Sequence, residues 1–175
     1  NENINKNIFE IMTKEIERKF LVSYIPEEAI GIEIKQGYLQ SEKHRTVRIR
    51  TIVENTGLKK SFLTIKGVSN EKGTSRYEFE IEIPFNEATY LLKLCDSPLI
   101  EKTRYIYKSD NEKWEIDEFH GKNKGLLLAE VELSNENQKI KLPDFIIEEV
   151  TGINKYYNSM LQKSPYTLWT DGPLK

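Results

Sequence analysis

The stretch KEIERKFLV, residues 14–22, carries a charged side chain at every second position. Glu15, Glu17 and Lys19 share one parity, whereas three of the four alternate positions from 16 to 22 are apolar. Successive side chains of a β-strand point to opposite faces of the sheet, so this strand places two carboxylates and an ammonium group on one face. Neighbouring carboxylates can hold a hard divalent cation, and an ammonium group beside them can bind a phosphate oxygen. The spacing therefore suggests metal and phosphate chemistry.

Later segments alternate in the same way and concentrate their charges on one parity. Those charges are the bases Arg48, Arg50, Lys66, Arg76, Lys102 and Arg104, and the acids Glu78, Glu80, Glu82, Glu115, Asp117, Glu130 and Glu132. A solvent-exposed outer face would explain any one of these strands. Like charges placed side by side destabilise a sheet, however, and here acids and bases are largely segregated onto different strands. The segregation favours charged faces that point inward and hold something between them.

The alternation, together with the turn residues between segments, predicts eight β-strands. They span residues 15–23, 32–40, 45–53, 59–68, 75–83, 99–108, 112–119 and 126–133. Most connections are of hairpin length, which makes neighbouring strands antiparallel. Eight antiparallel strands can close into a barrel and so remove the exposed sheet edges. We therefore predict an α+β fold built on an eight-stranded antiparallel β-barrel, with a few flanking and capping helices.

Three helices are predicted around this barrel. Asn86 is a suitable N-cap for the first, whose apolar stripe starts at Ala88 with i, i+3, i+4, i+7 spacing. A second is expected over residues 144–151, because Gly152 follows it in the position typical of a helix C-terminus. A third is expected from Asn154 onward.

The interior of an eight-stranded barrel is wide enough for side chains or for one slim ligand. Lined by Lys and Arg side chains, it suits a thin polyanion, and a chain of phosphates is the simplest candidate. Carboxylates facing that chain would repel it unless a divalent cation lay between them. Ligands that offer only oxygen favour a hard ion such as Mg²⁺ or Mn²⁺.

Composition narrows the classes of partner. The chain of 175 residues has a net charge of −2 and an isoelectric point near 5.9, so no overall field attracts nucleic acid polymers or anionic membranes. Cys95 is the only cysteine, which excludes an internal disulfide and favours a reducing compartment. No apolar run approaches the roughly 20 residues of a membrane span. These features predict a cytoplasmic protein.

Residues 15–19, EIERK, match the ExExK signature of the CYTH superfamily, the triphosphate tunnel metalloenzymes. Further blocks resemble the family in the same order: VRIR at 47–50, TIKG at 64–67, RYEFEIEIP at 76–84, EKTRY at 101–105, EIDEFHG at 115–121, LAEVEL at 128–133 and TGINKYYN at 151–158. ExExK alone is a weak pattern, but so many blocks in the right order are specific. The resemblance implies an eight-stranded tunnel, one or two Mg²⁺ or Mn²⁺ ions, and metal-dependent chemistry on triphosphate-containing substrates.

The same resemblance divides the chain and implies roles for its residues. Residues 1–12 are interpreted as a leader or added extension with Met12 a plausible start, 13–165 as the CYTH domain, and 166–175 as a C-terminal tail. The acids expected to ligate metal are Glu15, Glu17, Glu130 and Glu132, and those expected to carry catalysis are Glu15, Glu17, Lys19 and Glu132. The bases expected to bind phosphate are Lys19, Arg48, Arg50, Lys66, Lys102 and Arg104. Lys155 resembles a family lysine that reaches into one tunnel mouth, although a solvated helix lysine is the alternative.

Four residues are expected to support the site. Glu78, Glu80 and Asp117 would hold the bases in place or ligate metal through water, and Arg76 would pair with neighbouring acids. The best reading of the whole pattern is hydrolysis of inorganic tripolyphosphate to pyrophosphate and phosphate without a covalent intermediate.

Several alternatives stay open at this stage. A class IV adenylyl cyclase would use the same tunnel on ATP, and Tyr38, Tyr105 or Trp114 could then stack on adenine. A thiamine or nucleoside triphosphatase and a non-catalytic polyphosphate-binding module are further alternatives, although pure anion binding gains nothing from carboxylates. The substrate is expected to be a small molecule, with neither a nucleic acid polymer nor a membrane as partner, and the sequence leaves the oligomeric state open.

Overall fold

A computed structural model of the chain describes residues 14–42, 44–69, 75–109, 112–135 and 137–170. The predicted leader, residues 1–12, lies outside the described residues. So do the side chains of Glu15 and Arg76, although the backbone of both belongs to described strands.

Nine β-strands within these described ranges form a single antiparallel sheet, and eight of them correspond to the predicted strands. They are β1 (Lys14–Val22), β2 (Ile30–Glu42), β3 (Arg45–Glu54), β4 (Lys59–Ser69), β5 (Ser75–Glu82), β6 (Ile100–Ser109), β7 (Glu112–Phe119), β8 (Leu127–Glu132) and β9 (Ile146–Glu149). Their order in the sheet is β5-β4-β3-β2-β6-β7-β8-β1-β9.

The two ends of the eight-strand order meet along β1. Residues 14–16 of β1 pair with residues 75–77 of β5, while residues 17–21 pair with β8 on the other edge. The β1–β5 contact is short, so the sheet curls into a nearly closed barrel. The predicted fold class is confirmed, and charged residues of one parity are brought to the inside.

The ninth strand corrects the prediction of a helix over residues 144–151. Phe20 pairs with Glu149 and Val22 with Ile146, so this segment is extended along the upper part of β1. That part of β1 lies beyond its contact with β5, so its backbone N–H and C=O groups on this edge need hydrogen-bond partners. Pairing with β9 supplies them and outweighs the local preference of residues 144–151 for a helix. Gly152 has a φ of +74° and turns the chain after the strand rather than ending a helix.

The helical elements are short and lie around the barrel. They are α1 (Phe85–Leu92), α2 (Asn158–Lys163) and the 3₁₀ turns Gly121–Asn123, Asn154–Tyr156 and Tyr166–Leu168. Pro84, not Asn86, occupies the N-cap position of α1, and no side chain caps that end. The third predicted helix begins as the 3₁₀ turn and becomes α-helical only at Asn158. Among the described residues no helix is long and apolar enough to cross a membrane.

Much of the apolar core lies on the outer faces of the strands. Ala88 and Leu92 of α1 pack on Ile49 of β3, as the predicted stripe requires. Gly37 permits a close approach here, because a Cβ atom at that position would lie 2.6 Å from the Cβ of Cys95.

Candidate active site

The charged parity of the strands lines one cavity of about 570 Å³ inside the barrel. The predicted site residues that line it are Glu17, Lys19, Arg48, Arg50, Lys66, Glu78, Glu80, Lys102, Arg104, Glu130 and Glu132. They come from six different strands. Along each strand they occupy every second position, which places them on the same face of the sheet. Strand alternation therefore explains why residues so far apart in sequence share one space.

One end of the barrel interior is filled by apolar side chains. Leu21, Ile100, Phe119 and Leu128 each lie two positions beyond a charged inward residue, and they form one buried cluster. The Nζ atom of Lys102 lies 5.5 Å from the centre of the Phe119 ring, directly against this cluster. The cavity thus has an apolar floor, and its charged part is confined to the remaining length of the barrel.

Asp117 is the centre of a buried charge network behind the cavity wall. Its Oδ2 atom accepts a hydrogen bond from Lys102 Nζ at 2.5 Å, and Arg104 binds both of its oxygens at 2.7 and 2.8 Å. Arg104 also donates to Glu115 and, at 3.2 Å, to Glu130. Burial lowers the pKa of Lys102 to about 8, although Asp117 opposes this shift. Carboxylates thus fix both bases in place before any anion arrives.

Stability should therefore fall in acid because of Asp117. Burial alone would raise its pKa, but Arg104 and Lys102 outweigh burial and hold the pKa below its ordinary value. Because the folded pKa lies below the unfolded one, the stabilising effect is complete above the unfolded value of about 3.9 and disappears as pH falls through the folded value. We expect the midpoint of thermal unfolding to drop below about pH 4. Circular dichroism melts from pH 7 to pH 2.5 measure it, and an Asp117→Asn variant with an equally steep acid limb would contradict the assignment.

Two arginines and Glu80 form the opposite wall. Glu80 accepts hydrogen bonds from Arg48 at 3.3 Å, from Arg50 at 3.0 Å and from the Thr64 hydroxyl at 2.7 Å. Burial, followed by repulsion from Arg48, lowers the pKa of Arg50 to about 10. The buried Nε atoms of both arginines have no hydrogen-bond acceptor among the residues that the structure describes. This wall therefore has two arginine N–H groups next to the cavity that can still donate a hydrogen bond.

Two further ion pairs of the cavity join directly opposed residues of neighbouring strands. Lys66 of β4 lies opposite Glu78 of β5, with Nζ and Oε2 2.5 Å apart. Lys19 of β1 lies opposite Glu130 of β8, with Nζ and Oε1 2.8 Å apart. Burial disfavours the charged form of Glu130, but Lys19 and Arg104 hold its pKa well below the ordinary value.

Glu17 and Glu132 form the one predicted metal-ligand pair that the sheet register sets face to face. They are Cα partners across β1 and β8, and both line the cavity. Like charges in directly opposed positions destabilise a sheet, and a divalent cation between the carboxylates would remove that cost. The donor set therefore fits a hard cation. Within the described residues no group of three acidic, His or Cys side chains is close enough to form a metal centre, and the side chain of Glu15 lies outside them.

Sequence reasoning assigned no role to several residues that line the cavity. They are Thr46, Lys113, Glu115, Leu133, Ser134, Tyr157, Asn158 and Ser159. Alternation along β7 had placed Glu115 on the inward parity without giving it a role, and Lys113 shares that parity, with its Nζ atom 2.6 Å from Glu115 Oε1. The residues of α2 gave no such signal, because their approach to the barrel depends on the turn at Gly152.

Lys155 is not among the residues that line the cavity. Its Nζ atom lies 4.7 Å from the Trp169 ring and 5.3 Å from the Tyr156 ring. Tyr157, two residues further along the chain, does line the cavity.

The three aromatic residues considered for adenine stacking occupy different environments. Trp114 is fully buried in the outer core, with its ring 5.6 Å from that of Phe20. Tyr105 packs against the same core and donates a hydrogen bond to Glu118 at 3.1 Å. Tyr38 alone of the three lines the cavity, where its hydroxyl accepts a hydrogen bond from Gln36 at 3.1 Å. Tyr38 is only 5% exposed, so little of its ring is open to a stacking base.

The chain is similar to proteins of known family and activity. A CYTH domain family model matches residues 13–166. An inorganic triphosphatase of Acetivibrio thermocellus is 46% identical over 158 residues, which are 89% of this chain and 97% of the relative. An inorganic triphosphatase of Nitrosomonas europaea is 36% identical over 154 residues, 86% of this chain and 97% of the relative. A crystal structure of an inorganic triphosphatase, 33% identical, superposes with a TM-score of 0.61 over 86% of this chain and 95% of its own.

Proposed function

Because the chain belongs to the CYTH domain family, we propose that it is a metal-dependent inorganic triphosphatase that hydrolyses tripolyphosphate to pyrophosphate and phosphate. The observation that carries the proposal is a cavity of about 570 Å³ lined by both basic and acidic side chains. The relatives named inorganic triphosphatase support the same activity, since this chain matches 97% of the length of each.

Arg48 and Arg50 are the groups best suited to bind the phosphate chain. Both line the cavity, and both retain a buried Nε–H group without an acceptor among the described residues. A buried donor without a partner costs about 1–3 kcal/mol, and a phosphate oxygen would supply the missing acceptor. The planar guanidinium fork also matches two phosphate oxygens at once.

The bases Lys19, Lys66, Lys102 and Arg104 contribute positive charge that is already oriented. Each is paired with a carboxylate of the wall, so little reorganisation is needed when the substrate enters. Cations fixed in this way stabilise the charge that develops on the transferred phosphoryl group and on the leaving oxygen.

Glu17 and Glu132 are proposed as the main ligands of Mg²⁺ or Mn²⁺, with Glu15 and Glu130 as further oxygen ligands. When bound, such a cation offsets phosphate charge and polarises the attacking water. Glu130 also accepts hydrogen bonds from Lys19 and Arg104, which ties the metal ligands to the phosphate-binding bases.

In the proposed reaction a water oxygen forms a bond to the terminal phosphorus while the P–O bond to the pyrophosphate unit breaks. The two protons of the water pass to the phosphate products or to solvent. The contribution of this chain is to hold three phosphates in line and to place cations beside the oxygens that gain charge.

A substrate panel tests the function. Since the binding groups of the cavity recognise phosphate rather than a base, we expect kcat/KM for tripolyphosphate to exceed that for ATP by at least about tenfold, roughly 1.4 kcal/mol. Pyrophosphate should be a poor substrate because it spans fewer bases, and EDTA should abolish activity. Phosphate, pyrophosphate and cyclic AMP are quantified after incubation with each substrate and Mg²⁺ or Mn²⁺. Cyclic AMP released from ATP, with little phosphate from tripolyphosphate, would instead identify a cyclase.

A further inference from the structure

Lys19 is held at its backbone and at its ammonium group by one C-terminal segment, residues 150–157. Its backbone N–H donates to the Thr151 hydroxyl at 3.0 Å, and its carbonyl accepts from Val150 N at 2.8 Å. Its Nζ atom donates to the Tyr156 carbonyl at 3.4 Å and lies 5.3 Å from the centre of the Tyr157 ring. A residue of the first strand is thus positioned by the segment that follows the last one.

The backbone position of Tyr157 is set by the residues on either side of it. Tyr156 is buried in the apolar floor of the cavity, where its ring makes an edge contact with Trp169 at 5.5 Å. On the other side, the Tyr157 carbonyl accepts the first hydrogen bond of α2, from Leu161 N at 2.9 Å. Tyr156 is buried in the core and α2 begins at Asn158. Between them, the Tyr157 side chain lines the cavity and contacts Lys19.

An aromatic ring stabilises an ammonium group in a way that a carboxylate cannot match in this cavity. The face of the ring attracts a cation through its quadrupole, but it carries no net charge. It can therefore steady Lys19 without repelling an incoming polyanion. Lys19 is only 5% exposed, and its ion pair with Glu130 draws the ammonium group away from a phosphate, whereas the ring does not.

We propose that Tyr157 is a positioning residue that acts through Lys19, holding its ammonium group at the cavity wall in the orientation that receives a phosphate. This inference rests on the proposed function and adds a determinant of substrate binding to it.

The test compares Tyr157→Leu, which removes the ring, with Tyr157→Phe, which keeps it. We expect Tyr157→Leu to lower kcat/KM for tripolyphosphate by about tenfold and Tyr157→Phe to stay within about twofold of the parental protein. Tyr90→Leu is the matched control, because Tyr90 lies 4.9 Å from the Nζ of Lys93 in a similar ring–cation contact on the exposed side of α1. That control should leave activity unchanged. Should Tyr157→Leu fail to fold, Tyr157→Gln replaces it.

A double-mutant cycle separates positioning from a general structural effect. Tripolyphosphate affinity is measured by calorimetry in EDTA, where no turnover occurs, for the parental protein, Tyr157→Leu, Lys19→Met and the double variant. We expect Tyr157→Leu to weaken binding about fivefold when Lys19 is present and to have no effect when it is absent. Equal losses in both backgrounds, or parental affinity in Tyr157→Leu, would overturn the inference. A parental protein that binds tripolyphosphate but does not hydrolyse it would refute the proposed function, and the cycle would still decide the role of Tyr157.

Discussion

Replacing Glu132 by Gln is expected to lower tripolyphosphate turnover by about a thousandfold or more, roughly 4 kcal/mol, while the protein stays folded. The substitution exchanges a charged oxygen ligand for a neutral amide of nearly equal volume. Glu132 and Glu17 are directly opposed across β1 and β8, so removing one charge also removes a repulsion. The midpoint of thermal unfolding should therefore be unchanged or slightly higher. A malachite-green phosphate assay and circular dichroism melts measure the two effects.

Glu87→Gln is the matched control for this variant, because Glu87 lies in the first turn of α1 and is exposed. It removes the same charge from the chain without touching the cavity. Parental turnover in Glu132→Gln would show that Glu132 ligates no metal. A large loss of thermal stability would instead mean that Glu132 is a structural residue.

Asp117→Ala should be the most destabilising single change in the site. The Asp117 side chain is 3% exposed and is bound by both Lys102 and Arg104. Its removal takes the hydrogen-bonded carboxylate away from the buried Lys102 and the bidentate partner away from Arg104, which keeps Glu115 and Glu130. Breaking a buried ion pair in this way typically costs about 3–5 kcal/mol. At roughly 2–4 °C per kcal/mol for a chain of this size, the midpoint of unfolding should fall by about 6–20 °C.

An added anion should partly reverse that loss. Tripolyphosphate in EDTA would bind beside Lys102 and Arg104, whose charges Asp117 no longer balances, so it should raise the unfolding midpoint of Asp117→Ala more than that of the parental protein. Asp117→Asn, which keeps the shape and some hydrogen bonds, should be less damaging than Asp117→Ala. A midpoint within about 1 °C of the parental value in Asp117→Ala would be incompatible with a buried ion network.

Periodicity was enough to predict the eight barrel strands and the inward parity of their charges. Glu17, Arg50 and Lys66 could be assigned to the interior because alternation depends only on neighbouring residues along one strand. The same parity continues into Leu21 and Phe119, however, and there it builds the apolar floor. The prediction treated the inward face as charged along its whole length and so missed the apolar side chains at this end of the barrel interior.

The errors of prediction fall where partners are distant in sequence. Residues 146–149 form a strand because the free edge of β1 accepts them, and a short apolar run cannot reveal which edge is free. The role of Lys155 at a tunnel mouth stays a prediction, and its ammonium group lies 4.7 Å from the Trp169 ring. Whether residue 155 or 157 enters the cavity depends on the path of the chain after Gly152, which no local pattern encodes.

The pairing of β1 has a consequence for how the protein is made. Its contacts reach Tyr77 on β5, Glu132 on β8 and Glu149 on β9, and Lys19 meets Tyr156 across 137 positions of sequence. Pairings of such long separation form slowly, because a large loop must close before any of their energy is gained. During synthesis β1 leaves the ribosome long before β8 and β9, and it must stay unaggregated while it waits for them. A chain released early would carry most of the phosphate-binding bases without the fold that assembles them.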